Sequence, residues 1–172
     1  LVQKAQTENL EGHYEAAVAT ATQALQASRT HLGAKTPQTV SALMQISHAH
    51  DYLRHANESL DAARDAYRMA EEVYGSHESH PGANAARMQY AVALVEQDRI
   101  DEAVDLMKAS LAAITKLYGA RSRIVGHYHA SMVQYLVACG RTAEALEHSQ
   151  LAMEIYEPML EPGSSRHAAL LD

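Results

Sequence analysis

The sequence predicts an all-α solenoid of antiparallel helix hairpins, and three observations predict it. When a pivot is placed at Gly12, Arg54, Asp98 and Gly140, the stretches GHYEAAV, RHANESL, DRIDEAV and GRTAEAL fall into one register at intervals of 42, 44 and 42 residues. Intervals of that size, each holding two helical patterns, are the mark of stacked hairpin repeats. Second, seven residues after each small residue at pivot plus five (Ala17, Ser59, Ala103, Ala145) stands another, Ala24, Ala66, Ser110 and Ala152. Two helical turns separate the members of each pair, so both lie on one face and let a neighbouring helix approach closely. Third, Leu32-Gly33, Tyr74-Gly75 and Tyr118-Gly119 close the second helix of their repeats with an apolar residue and a glycine suited to a left-handed stop.

The elements follow in order. Leu1 to Leu10 reads as the closing half of a first helix, and the pivot at Gly12 leads into a second that stops at Gly33. The next hairpins open at Pro37, at His80-Pro81 and near Arg123, the prolines sitting where a first-turn residue needs no backbone donor. The repeat units are therefore placed at 1–33, 37–75, 81–119 and 122–160, about seven long helices plus a terminal stub. The fourth copy has a degenerate stop, Leu160-Glu161, and 164–172 opens a further helix. Both ends are cut in mid-pattern, and the absence of polar terminal caps reads as one solenoid, 1–172, excised from a longer protein. Any catalysis or DNA binding by such a parent would lie outside these residues.

This pattern resembles the tetratricopeptide repeat, in the longer form of about 42 residues found in kinesin light chain, where repeats end in a Leu-Gly, His-Pro punctuation. YGSHESHPGANAA (Tyr74 to Ala86) and GHYEAAVATATQAL (Gly12 to Leu25) carry the resemblance most clearly. It implies a right-handed superhelical solenoid that offers an extended surface to another chain, commonly within signalling kinases, winged-helix regulators or transport adaptors. The sequence departs from the pattern in having no Trp and no Phe, and where a large apolar residue usually stands it reads Leu43, then Arg87 and His129.

Composition agrees with a non-catalytic recognition module. The formal charge of −7 and a pI near 5.8 give no electrostatic reason to expect nucleic acid or an anionic membrane. No apolar stretch approaches the roughly 20 residues of a membrane helix. The single cysteine, Cys139, rules out an internal disulfide and is compatible with a reducing compartment, so a cytoplasmic protein is expected. Cys139 precedes Gly140 at a helix end that packs against its partner, a setting commoner for a small buried thiol than for a nucleophile. No phosphate loop, serine elbow or carboxylate pair with positional logic is present, and no cofactor is expected.

The first helix of each hairpin should supply the inner face. Counting back from the pivots, one side packs on the partner helix: Ile46, Ser47 and His50; Tyr90, Ala91 and Leu94; Met132, Val133 and Leu136. The inner side reads Gln3, Gln45, Gln89 and Ser131 at minus nine and Gln6, His48, Val92 and Gln134 at minus six. Met44 and Met88 lie beside them, His127 nearer the mouth, and Asn9, Asp51, Tyr52 and Glu96 below. A row of carboxamides suits the backbone of an extended peptide, because each offers donor and acceptor, and the methionines add adaptable apolar contacts. In the family it resembles, asparagines hold the ligand backbone in that row. Glutamine is also a good helix former on any solvated face, so a solvated surface stands as the alternative. The face holds Asp51 and Glu96 but no Lys or Arg, so a neutral to mildly basic peptide is expected rather than an acidic C-terminal tail.

Eleven histidines include His48-Ala49-His50, His77-Glu78-Ser79-His80 and His127-Tyr128-His129. Helical residues two apart point in different directions, and the His77 pair lies in a loop, so these read as surface or loop histidines rather than metal ligands. Three functions differ in class: a peptide-recognition module, an intramolecular regulatory or oligomerisation segment controlling an effector domain elsewhere, and a small-molecule or metal sensor that the sequence barely supports. Self-association of the truncated chain fits either of the first two.

Overall fold

The computed structural model describes residues 1–159, so the expected stop at Leu160-Glu161 and the helix over 164–172 lie outside the described residues. Among the described residues all regular structure is helical: α1 (Val2–Leu10), α2 (Tyr14–His31), α3 (Pro37–Tyr52), α4 (Ala56–Tyr74), α5 (Pro81–Val95), α6 (Ile100–Tyr118), α7 (Arg123–Ala138), α8 (Thr142–Tyr156) and a 3-10 turn at Glu157–Met159. The chain divides by packing into two compact units, Leu1–Ser110 and the residues from Leu111 onward. In the first, each helix from α1 to α4 packs on the next, and α3 lies beside both α1 and α5. In the second, α7 packs on α8.

Helix starts fall where the sequence supplies a cap. Thr36 Oγ1 accepts from the Thr39 amide before α3, His80 Nδ1 from the Gly82 amide before α5, and Ser122 Oγ from the Val125 amide before α7. Each satisfies one of the orphan donors of a first turn. The glycines after α2, α4 and α6 all take positive φ (Gly33 97°, Gly75 80°, Gly119 82°). Gly75, with ψ of −143°, lies away from the left-handed helical region, in backbone space that only glycine enters readily. Beyond it the His80 ring stacks on Tyr74 with centroids 4.2 Å apart, and a Cβ on Gly82 would stand 3.1 Å from the Tyr74 ring. The loop is thus closed by a stacked pair that leaves little room for a side chain at 82.

The four pivots share one backbone geometry. Gly12, Arg54, Asp98 and Gly140 have φ of 81°, 60°, 58° and 72°. In each, the pivot amide donates to the carbonyl three residues back (Asn9, Asp51, Val95, Val137) at 3.0–3.2 Å. The next amide (His13, His55, Arg99, Arg141) donates to the carbonyl five residues before it (Glu8, His50, Leu94, Leu136) at 2.8–3.1 Å. This is the Schellman closure of the first helix. The same four residues after the pivot then accept from Ala17, Ser59, Ala103 and Ala145, opening the second helix. One turn therefore ends a helix and starts its partner without a linker.

The small-residue pairs lie at the buried seams. Ala17, Ala24, Ser59, Ala66, Ala103, Ser110, Ala145 and Ala152 are all buried. Around one seam, Val40, Leu43, Ala66, Ala70, Ala83 and Ala86 form a core cluster in the first unit. Ile114, Val125 and Ile155 form another in the second, where a Cβ on Gly126 would stand 3.0 Å from Ile155 Cγ2. Ser47 and Ser59 face each other inside the α3–α4 hairpin, hydroxyls 3.3 Å apart.

Polar residues occupy two of the sites where a large apolar one was expected, and both are buried. Arg87 donates from Nε to Ser110 Oγ at 3.1 Å and from Nη2 to Asn84 Oδ1 at 2.7 Å and the Ala109 carbonyl at 3.0 Å. Its guanidinium thus replaces apolar packing with a bonded network joining α5 to α6. His129 sits with its Nδ1 2.7 Å from Nδ1 of His148. Burial first and His148 second lower its pKa, so the pair is held by one neutral ring donating to the other.

Replacing Ala103 by Leu forces extra volume into a fully buried seam, and a loss of about 1–3 kcal/mol is expected in thermal or denaturant unfolding. An unchanged melt would reject the register. Arg87→Ala strands the groups it bonds and should cost about 2–4 kcal/mol by the same measurement.

Candidate functional site

The first-helix face of the unit formed by Leu1–Ser110 carries most of the residues the sequence singled out. Here the carboxamides tie neighbouring repeats together rather than standing free. Asn9 Nδ2, on α1, donates to the Gln45 carbonyl at 3.1 Å and to Gln45 Oε1 at 3.0 Å. Gln89 Nε2, on α5, donates to Ser47 Oγ at 3.0 Å. The expected amide row is therefore in part a set of cross-repeat braces. Gln45 keeps its own amide donors, and both glutamines remain half-buried at the surface.

The other candidates divide by burial. Val92 is only 7% exposed, buried where the sequence placed it on the inner face. Met44 packs against the cluster of Val40, Leu43 and Ala66, and Met88 is half-buried. Tyr52 is exposed but its ring stacks on Tyr14 at 4.7 Å, and His48 tilts against Tyr52 at 5.0 Å. In the unit from Leu111 onward, Ser131 is half-buried while His127 and Gln134 are exposed.

A recess of about 140 Å³ opens between α1, α3 and α5, lined by Gln6, Asn9, Leu10, Met44, Gln45, His48 and Gln89. Asn9 is 4% exposed, and its buried Oδ1 has no hydrogen-bond partner. The same holds for His48 Nδ1, Asp51 Oδ1 and Glu8 Oε2. Burial lowers the His48 pKa, so its ring is neutral at neutral pH. Asp51 is pushed up to about 6, first by burial and then by Glu96, with Arg54 opposing. Arg54 itself pairs with Glu96 at 2.9 Å, and Lys4 with Glu8 Oε1 at 3.4 Å. Glu8, four residues before the pivot at Gly12, is not among the residues the sequence singled out. The available signal was an acid where the later repeats have His50, Leu94 and Leu136.

Other histidines of these clusters make contacts within the fold. His77 is buried rather than solvated, with Nε2 3.1 Å from the Tyr67 carbonyl and its ring stacked on Tyr67 at 4.2 Å. His50 pairs with His55, Nδ1 to Nδ1 at 3.2 Å. Among the described residues no group of three or more His, Cys, Asp or Glu is placed to hold a metal ion. Cys139 is half-buried at the C-terminal end of α7. No described helix is long and apolar enough to cross a membrane.

Two family models, both described as tetratricopeptide repeat, match consecutive stretches, residues 39–82 and 83–163. The fold recurs in a protein of Podosopora anserina described as a putative kinesin light chain with nearly identical TPR-like repeats. The two are 17% identical, with a TM-score of 0.76 over 98% of this chain and 79% of that one. A single-substitution variant of that protein aligns with a TM-score of 0.75 at the same identity and coverage. BtubC (BKLC) from P. vanneervenii aligns at 15% identity and a TM-score of 0.74, over 96% of this chain and 65% of that one. Among curated protein sequences, none matches this chain.

The Asp51 carboxyl titrates higher in the folded chain than its ordinary 3.8, so the stabilisation that protonation supplies is lost as the pH rises through about 6. Asp51→Asn should therefore be more stable than the parent at pH 7.5, on the order of 1 kcal/mol after solvent screening, and equal to it near pH 4. Melts of both proteins at the two pH values check this.

Proposed function

The chain belongs to the tetratricopeptide-repeat family, whose repeats serve as protein-interaction modules, and we propose that it binds an extended peptide on the first-helix face. The observation that supports this reading best is the set of buried acceptors without donors around α1 and α3. In a folded chain such groups are nearly always satisfied, so their concentration on one surface fits a ligand that brings donors, as a peptide backbone does. Half-buried Met44 and Met88 supply adaptable apolar contact beside them. The carboxylates of Glu8, Asp51 and Glu96 favour a neutral to mildly basic peptide over an acidic tail. We further infer a non-catalytic role within a larger signalling or regulatory protein of the cytoplasm.

A second reading is favoured by one observation. On α8, Leu146 and Met153, two turns apart and so on one face, are exposed, apolar residues suited to self-association or to a regulatory contact with another part of a parent chain.

Selection of a displayed random-peptide library on the chain tests the primary reading. Related linear peptides should be recovered, and Met88→Ala, with its melt unchanged, should weaken their binding several-fold. Recovery of no peptide, or equal binding by the variant, would move function to another face.

A further inference from the structure

Asn9 fixes the polarity of the recess. The Gln45 carbonyl can only accept, so the Asn9 amide must turn its NH₂ toward α3. Its Oδ1 is then left buried with no donor, in a side chain that is 4% exposed and lines the recess. His48 lines the same recess, and a neutral imidazole can present its unpartnered Nδ1 as a second acceptor. Unpartnered carboxylate oxygens stand on the same helices, Glu8 Oε2 next to Asn9 and Asp51 Oδ1 one turn after His48. Three carboxylates (Glu8, Asp51, Glu96) face two cations (Lys4, Arg54), each already bonded to one of them.

We propose that this recess takes an arginine side chain of the bound peptide, its guanidinium donating to Asn9 Oδ1 and His48 Nδ1 and its stem lying along Met44 and Leu10. The inference rests on the peptide-binding reading and names the side chain that gives it specificity. A carboxylate would add acceptors to acceptors, and an apolar side chain would leave buried acceptors unsatisfied. A guanidinium offers five donors on a planar, weakly hydrated frame, and its methylenes suit the thioether and leucine walls better than a compact, strongly hydrated ammonium. The excess of carboxylates over cations favours a positive group, and burial keeps His48 uncharged to receive it.

The test uses peptides recovered by display on the chain. An arginine should be enriched at one position, and its replacement by citrulline, which keeps the shape and removes the charge, should weaken binding at least tenfold, with lysine intermediate. His48→Lys should cause a similar loss for the arginine peptide and little further loss for the citrulline peptide, as expected for two changes acting on one contact. His48→Phe removes the acceptor without adding charge and should act in the same direction, so a misfolded lysine variant, visible in its melt, leaves the test intact. Peptides that lose affinity on Met88→Ala but have no preferred basic position would overturn the arginine site while leaving the peptide-binding reading standing. So would a citrulline effect of equal size in the parent and both His48 variants. Peptides insensitive to every variant, or no peptides at all, would overturn both.

Discussion

The structure depends on a turn taken four times, in which one residue adopts positive φ and the chain reverses from a first helix into its partner. Gly12, Arg54, Asp98 and Gly140 make the same two backbone bonds to the helix they end. The residue after each then caps the helix that follows. Because the turn has no spare residues, it fixes the phase between the two helices of a hairpin. That phase decides which side chains meet inside: five residues on, Ala17, Ser59, Ala103 and Ala145 all reach the seam. Glycine accepts the conformation freely, whereas Arg54 and Asp98 hold it at a steric cost of about 1–2 kcal/mol that the packed hairpin must outweigh.

Close seams leave little volume for large side chains, and polar groups take over part of the cohesion. Ser47 is the clearest case. It faces Ser59 across its own hairpin and receives Gln89 from the next repeat, so one hydroxyl joins α3, α4 and α5. Arg87 does the same between α5 and α6. Asn9 differs from these: its amide donors are bonded to α3 but its oxygen is not bonded at all. The same brace that holds two repeats together thus leaves an acceptor at the recess.

Much of the fold was legible because its signals are local. Prolines at 37 and 81, glycines at 33, 75 and 119, and small residues seven apart each report on geometry within two or three turns. The candidate site was less legible because it is made by partners far apart in sequence. The bonds from Asn9 to Gln45 and from Gln89 to Ser47 span 36 and 42 residues, so the glutamines look free in the sequence and are not in the structure. Val92 occupies the position that His48 holds one repeat earlier, yet it is buried, since its exposure depends on what covers α5. His77 reads only as a surface or loop histidine, because nothing local announces the Tyr67 carbonyl and ring against it.

Thermal unfolding of a series at the four pivots tests the common turn most directly: Gly12→Ala, Gly140→Ala, Arg54→Gly and Asp98→Gly. A Cβ at Gly140 would meet nothing within 4 Å, and one at Gly12 only the Tyr14 hydroxyl at 4.0 Å, so any cost there is backbone strain. Each alanine should lose about 1 kcal/mol, and neither glycine should lose stability, the exposed Arg54–Glu96 pair contributing little. Alanines tolerated without loss, together with glycines that each cost about 1 kcal/mol as in an ordinary helical position, would contradict the shared turn.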